Sequence, residues 1–147
     1  VLELGAGLGS TPILFELAKK HKFEVVSLET SEQYHRDVTK HLTENKLLSK
    51  TAKVNLVSVF DQMGLDDYPE LNQKWDILLV DNKTGESRQP IIRRMADKAA
   101  FILVDDTEEL HEASASNYQY DFTMFKHVKH FKQGRPNVDI LSNKYKI

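Results

Sequence analysis

Val1-Leu2-Glu3-Leu4-Gly5-Ala6-Gly7-Leu8-Gly9-Ser10 opens the chain, and the fold turns on how this stretch is read. An apolar run of strand length passes into three glycines at alternate positions. Ile13, Leu14, Leu17 and Ala18 then recur at helical spacing up to Lys19-Lys20-His21-Lys22, a basic end suited to a helix C-terminus. Strand, glycine turn and helix therefore follow in order. Glycines at such a junction let the backbone turn sharply and come close to a ligand, while the first amides of the helix face it. A nucleotide-like cofactor is the expected occupant.

Working outward, the same alternation repeats. Phe23 to Leu28 is a second β-rich run, ending at Glu29, and Ser31-Glu32-Gln33-Tyr34 opens a helix lasting to about Asn45. Val54 to Val59 reads as a third strand. Trp75 to Val80, nearly all apolar, reads as a fourth strand covered on both faces. A loop at Asp81-Asn82-Lys83-Thr84-Gly85-Glu86 follows, then a helix after Pro90 marked by Ile91, Ile92, Met95 and Ala96. Ala99 to Val104 is a fifth strand ending at Asp105-Asp106. From Thr123 to Lys132 and from Val138 to Ile147 two strand-like runs flank the turn-rich Gln133-Gly134-Arg135-Pro136-Asn137, which predicts a terminal antiparallel hairpin. Such an order implies an α/β, doubly wound, mostly parallel sheet whose ligands lie past the carboxyl ends of the strands.

Composition narrows the classes. The chain has 147 residues, 40% of them hydrophobic, which is enough for one core and predicts a single domain. A net charge of −2 supplies no global basic field of the kind that gives non-specific nucleic-acid affinity, so composition leaves a nucleic-acid partner unsupported. Cysteine is absent, which removes disulfides, thiolate metal sites and a cysteine nucleophile, and fits a cytoplasmic location. No apolar run approaches the roughly 20 residues of a membrane span.

Glu29 ends the second strand, where its carboxylate stands beside the first turn and can accept hydrogen bonds from the two hydroxyls of an adenosine ribose. The turn itself is G-x-G-x-G rather than the G-x-G-x-x-G of dinucleotide sites, because Ser10 stands where the third dinucleotide glycine would be. With Glu3 ahead of it, the segment Glu3-Leu4-Gly5-Ala6-Gly7-Leu8-Gly9 resembles the first motif of class I S-adenosylmethionine-dependent methyltransferases. The resemblance covers essentially the whole chain, including the acid that ends the second strand, the acid after the fourth and the closing hairpin. It implies a seven-stranded sheet of order 3-2-1-4-5-7-6 and S-adenosylmethionine as cofactor. It also implies Glu3, Gly5, Gly7, Gly9 and Glu29 as cofactor residues, with Thr30 and Ser58 near adenine. In that family helices normally precede the opening strand, so the resemblance further implies a core lacking its N-terminal helices.

Asp81 follows the fourth strand, and Asp105 and Asp106 follow the fifth, so a doubly wound sheet gathers these carboxylates at one edge. Clustered acids repel one another unless something neutralises them. A divalent cation such as Mg²⁺ takes oxygen ligands and leaves positions open for a vicinal diol. Val80-Asp81-Asn82 and Val104-Asp105-Asp106 are similar to the metal-binding stretches of catechol-type and macrolide-sugar O-methyltransferases. That likeness implies methyl transfer to a hydroxyl of a small molecule or sugar, with Asp81 and Lys83 as candidate catalytic residues and Asp81, Asp105 and Asp106 as metal ligands. The catechol-type lysine falls where this chain has Thr84, so Lys83 stands one place early. Capping of a following helix by Asp105 and Asp106 explains the same residues without a metal.

Three smaller signals remain. Arg88 reads as a solvated loop charge ahead of an anion clamp, and His111 as a surface histidine ahead of a base. Lys126, His127, Lys129, His130, Lys132 and Arg135, interleaved with Phe125 and Phe131, read first as protection of an edge strand and second as a patch for nucleic acid or acidic glycans. The rival functions are an NAD(P)-dependent oxidoreductase and a cofactor-binding or interaction domain without catalytic activity.

Overall fold

The computed structural model describes residues 1–58, 68–82, 85–107, 120–132 and 137–147, with the side chains of 85 and 86 outside the description. Seven strands form one mixed sheet in the order β3-β2-β1-β4-β5-β7-β6, the order the resemblance implies. The strands are β1 (Leu2–Leu4), β2 (Val25–Glu29), β3 (Ala52–Leu56), β4 (Trp75–Val80), β5 (Ala99–Asp105), β6 (His127–Phe131) and β7 (Val138–Ser142). Helices α1 (Ser10–His21), α2 (Glu32–Glu44) and α3 (Gly85–Met95) connect the parallel strands. The chain divides into two compact units, 1–59 and 60–147.

In the first unit β1, β2 and β3 run parallel, with Leu4 opposite Leu28 and Glu29 opposite Leu56. Every residue of β1 and β2 is buried, as expected for strands covered on both faces. Helix α1 buries Thr11, Phe15 and Ala18, a stripe at four- and three-residue steps, while Ile13 is 59% exposed. Of the apolar residues that mark this helix in the sequence, Ile13 and Leu17 face outward. Thr11 takes the inward position because Glu3 accepts its hydroxyl hydrogen bond, so burying it leaves no polar atom unpaired. Helix α2 opens at Ser31, whose hydroxyl accepts from the Tyr34 amide at 3.3 Å, and packs Val38 and Leu42 inward. Phe15, Ala18, Val25, Val38, Leu42, Leu47 and Ala52 share one core. Each large apolar side chain among them contributes about 1.5–3 kcal/mol. The third strand starts at Ala52 rather than Val54 and stops at Leu56.

In the second unit β4 and β5 are parallel, with Val80 opposite Val104, and β7 runs antiparallel to both β5 and β6. Asp105 stands opposite Val138, so the carboxyl end of β5 meets the start of β7. Helix α3 begins before Pro90 rather than after it and buries Arg88, Ile91, Ile92 and Met95 along one face. The closing hairpin is shorter than its sequence suggests. Ser142 Oγ accepts from the amides of Lys144 and Tyr145 at 3.1 and 2.9 Å, a local turn that ends β7. At the other end Asp121 Oδ1 accepts from both the amide and the hydroxyl of Thr123, which holds that segment out of β6. The connecting stretch 133–136 lies outside the described residues. No helix among the described residues is long and apolar enough to cross a membrane.

Candidate functional site

The glycine turn is built from beneath. Glu3, on β1, is fully buried, and both its oxygens are engaged: Oε1 accepts from Ser10 Oγ at 2.6 Å and Oε2 from Thr11 Oγ1 at 2.8 Å and from Ser27 Oγ. Thr11 Oγ1 in turn accepts the Gly7 amide at 2.9 Å. A chain of hydrogen bonds thus runs from the buried carboxylate through the first turn of α1 to the middle glycine. Burial pushes the Glu3 carboxyl above the usual carboxylate range, against the lowering effect of the Ser10, Ser27 and Thr11 hydroxyls, and the Glu29 charge adds to the rise. Glu3 therefore lies beneath the turn, with both its oxygens engaged by the protein's own hydroxyls. Ser10, Thr11 and Ser27, which complete this network, were not anticipated. Thr11 carried a signal in its place on the 11-15-18 stripe.

Each glycine answers a different demand. Gly5 has φ 92°, a left-handed backbone that side chains resist, and its amide donates to the Leu28 carbonyl at 2.9 Å. Gly7 and Gly9 have no such backbone requirement. A Cβ on Gly7 would meet only the Gly9 amide nitrogen, at 4.0 Å, and a Cβ on Gly9 would meet nothing within 4 Å. The protein's own packing leaves these two positions open. Bare backbone with room above it is what close approach of a ligand needs, so these residues fit a cofactor such as S-adenosylmethionine.

Glu29, at the carboxyl end of β2, is buried, and its Oε1 accepts from the amides of Thr30 and Ser31 at 2.8 and 2.6 Å. Two backbone donors on one oxygen fix the carboxylate and leave Oε2 with no hydrogen-bond partner among the described residues. Val57 donates its amide to the Glu29 carbonyl at 2.8 Å, which brings Ser58 to the same edge as Thr30. Thr30 is half-buried and Ser58 exposed there.

In the second unit, oxygens of Asp81, Asp105 and Asp106 lie within 4.8 Å of one another. Gathering of these acids was expected; what neutralises them was not. The Arg88 side chain is 2% exposed, and its Nη2 stands 3.4 Å from Asp81 Oδ1 and 3.6 Å from Asp106 Oδ2. Its Nε donates to the Asn82 carbonyl at 2.8 Å, and Nη1 donates to the Asp105 carbonyl at 2.8 Å and to Tyr120 Oη at 3.2 Å. Asp106 has φ 56°, a left-handed turn directly after β5, and its carboxylate lies back toward Arg88. A dication at these ligands would share the cluster with a buried, permanent cation whose five donors are already directed at the loop ends. The residues do not fit Mg²⁺. Arg88 is likewise not the solvated charge its sequence context suggests. The spacing of Arg88 from Ile91, Ile92 and Met95 was the available signal, obscured by placing the helix start at Pro90. Lys83, Thr84 and His111 lie outside the described residues.

No protein-family model and no curated protein matches the chain. Solved structures do. A Haemophilus influenzae protein described as a methylase is 17% identical with a TM-score of 0.61, over 97% of this chain and 86% of that one. A Streptococcus pneumoniae protein assigned as a tRNA methyltransferase is 14% identical with a TM-score of 0.58, over 99% of this chain and 64% of that one. Precorrin-6y C5,15-methyltransferase from Geobacter metallireducens is 17% identical with a TM-score of 0.57, over 99% of this chain and 80% of that one. The chain has the Rossmann-like fold of the class I S-adenosylmethionine-dependent methyltransferases.

Proposed function

We propose that this protein binds S-adenosylmethionine at the Gly5–Gly9 turn and transfers its methyl group to a nucleophile of the acceptor. The observation that carries the proposal is the open space over Gly7 and Gly9, two glycines that neither backbone strain nor internal packing requires. In this scheme the turn's backbone takes the cofactor's amino-acid part and ribose. Glu29 Oε2 accepts from the ribose hydroxyls, and Thr30 and Ser58 border the adenine. When bound, the cofactor supplies a sulfonium methyl that is already strongly electrophilic. What remains for the protein is to hold the acceptor in line, and positioning of that kind accounts for most of the acceleration such a reaction needs.

Asp81 is the candidate acceptor-side residue. Its carboxylate, paired with Arg88 and 34% exposed, is suited to accept a hydrogen bond from an acceptor O–H or N–H. A vicinal-diol acceptor on a small molecule or sugar would be held by a metal at this cluster, where Arg88 already supplies the counter-charge. One fold neighbour is described as acting on tRNA and another on a precorrin, so the fold leaves the acceptor open.

Calorimetric titration with S-adenosylhomocysteine tests the proposal, with NADH as the control. Saturable binding of the former alone is expected. Binding of NADH alone would replace this reading with an oxidoreductase, and binding of neither would remove the cofactor site.

A further inference from the structure

We propose that the closing hairpin, centred on Lys129, Phe131 and Lys132, is a binding surface for single-stranded nucleic acid. From Phe122 to Val138 the sequence carries Lys126, Lys129, Lys132 and Arg135 and no Asp or Glu, inside a chain whose net charge is −2. β6, the terminal strand of the sheet, carries Lys129 of this run, with Lys126 and Lys132 directly flanking its two ends, and Val128, Lys129, His130 and Phe131 are all exposed. Lys126, Lys129 and Lys132 have no acidic partner within 4 Å among the described residues. His130 is engaged with Asp139 at 2.7 Å, so the lysines carry the charge of this surface.

Edge protection explains part of this. Lysines on a terminal strand discourage pairing with another chain, but that purpose gives no reason to leave Phe131 40% and Met124 44% exposed beside them. Lys129 Nζ stands 5.2 Å from the centre of the Phe131 ring. An aromatic face with a cation two residues away is the pairing that single-stranded nucleic acids use: a base stacks on the ring and the ammonium meets the phosphate. A bilayer asks for something else, a continuous apolar face. Strand alternation sends Val128 and Phe131 to opposite faces of β6. A flexible polyanion that tracks the strand can use both.

This inference deepens the methyl-transfer reading, on which it rests only for the conclusion that the bound strand supplies the acceptor. The test is fluorescence anisotropy of the full chain with labelled RNA and DNA oligomers of roughly 20 mixed-sequence nucleotides, between about 50 and about 200 mM salt. The expected result is salt-dependent binding whose log–log slope falls by about 1.4 in a K129Q/K132Q double variant, from about 0.7 per lysine. F131A is expected to weaken binding by about 5- to 150-fold with little change in slope. These side chains are exposed, and unchanged urea midpoints verify that the variants fold. Absence of oligomer binding by the unaltered protein, or slopes indifferent to the lysine pair, would overturn the surface. So would binding confined to phosphatidylserine vesicles. S-adenosylhomocysteine titration of the same samples separates the two claims: retained cofactor binding without oligomer binding removes the surface alone, and the converse removes the methyl-transfer reading alone.

Discussion

Arg88 Nη2 lies 3.4 Å from Asp81 Oδ1, and with Asp106 at 3.6 Å this one side chain gives the acid cluster a counter-charge from within the protein. Removing it has two costs. Asp81 and Asp106 are partly exposed and recover some hydration, but the Asn82 and Asp105 carbonyls and the Tyr120 hydroxyl lose a buried donor. Arg88→Met is expected to destabilise the fold by about 2–4 kcal/mol, measured by urea unfolding. Arg88→Lys recovers little of this, because a single ammonium cannot span acceptors arranged for a planar fork. A loss below about 0.5 kcal/mol for Arg88→Met would show that the network is not structural.

The same geometry predicts indifference to magnesium. A specific ligand present at 100 times its dissociation constant stabilises a native state by about 2.7 kcal/mol. With Arg88 in place, millimolar MgCl₂ is expected to leave the urea midpoint unchanged beyond its ionic-strength effect, for which NaCl is the control. A magnesium-specific stabilisation that Asp105→Asn abolishes would return a cation to the cluster.

Much of this architecture is legible in the residues, and the failures have physical causes. The strand β4 and the start of β5 match their apolar runs because a continuous hydrophobic run of strand length marks a strand inside a sheet, although β4 is not covered on both faces among the described residues: Asp76 is exposed and Ile77 and Leu79 are half-buried. The glycine turn is legible because few other junctions concentrate glycine between a strand and a helix. Thr11 and Arg88 escaped for a shared reason: each is a polar residue on a helix's buried face, ahead of 15-18 and of 91-92-95. A polar residue is read as outward unless its partner is known, and the partners, Glu3 and Asp81, lie eight and seven residues away in sequence. The ends of β6 and β7 escaped because side-chain turns at Asp121 and Ser142 override local strand propensity.

Glu3 gives stability a pH dependence of definite sign. Its carboxyl is raised in the folded protein, chiefly by burial, so the native state holds its proton to higher pH than the unfolded chain does. Stability therefore falls with rising pH from about 4.3 up to the folded value, by at most about 1.4 kcal/mol per pH unit. In Glu3→Gln that slope is expected to vanish, so the stability of the native protein relative to the variant declines as pH rises through the window. Urea midpoints of both proteins across the weakly acidic range measure it; parallel curves would mean that Glu3 does not titrate between the two states.

The three glycines should separate folding from binding. Gly5→Ala forces a side chain into a left-handed backbone and is expected to cost about 1 kcal/mol or more. Gly7→Ala and Gly9→Ala meet no such strain and have open space for the methyl, so stability is expected to hold within about 0.5 kcal/mol. Yet each added methyl occupies room assigned to the cofactor, and S-adenosylhomocysteine affinity is expected to fall by about tenfold or more, from a steric cost of about 1.4 kcal/mol. If Gly7→Ala binds as well as the native protein, the space over the turn is not where the cofactor lies.

Glu29 tests the other side of the same site. Its Oε1 holds the Thr30 and Ser31 amides, so Glu29→Ala removes a structural acceptor along with any ligand contact and is a poor probe. Glu29→Gln is the informative change. The carbonyl oxygen of glutamine can keep both amides, which preserves the loop, while its NH₂ replaces Oε2 and turns a negative acceptor into a neutral donor. Ribose hydroxyls that donated to Oε2 then face a donor. Hydrogen bonds to a charged group are worth about 1.5–3 kcal/mol, which translates into a loss of S-adenosylhomocysteine affinity of about 10- to 150-fold. The urea midpoint is expected to stay put. Adenine alone, which has no ribose, is expected to bind the variant and the native protein equally, and this comparison ties the effect to the hydroxyls rather than to a general disturbance. Equal S-adenosylhomocysteine affinity for the two proteins would move the ribose away from Glu29 and leave the carboxylate with only its role in holding the start of α2.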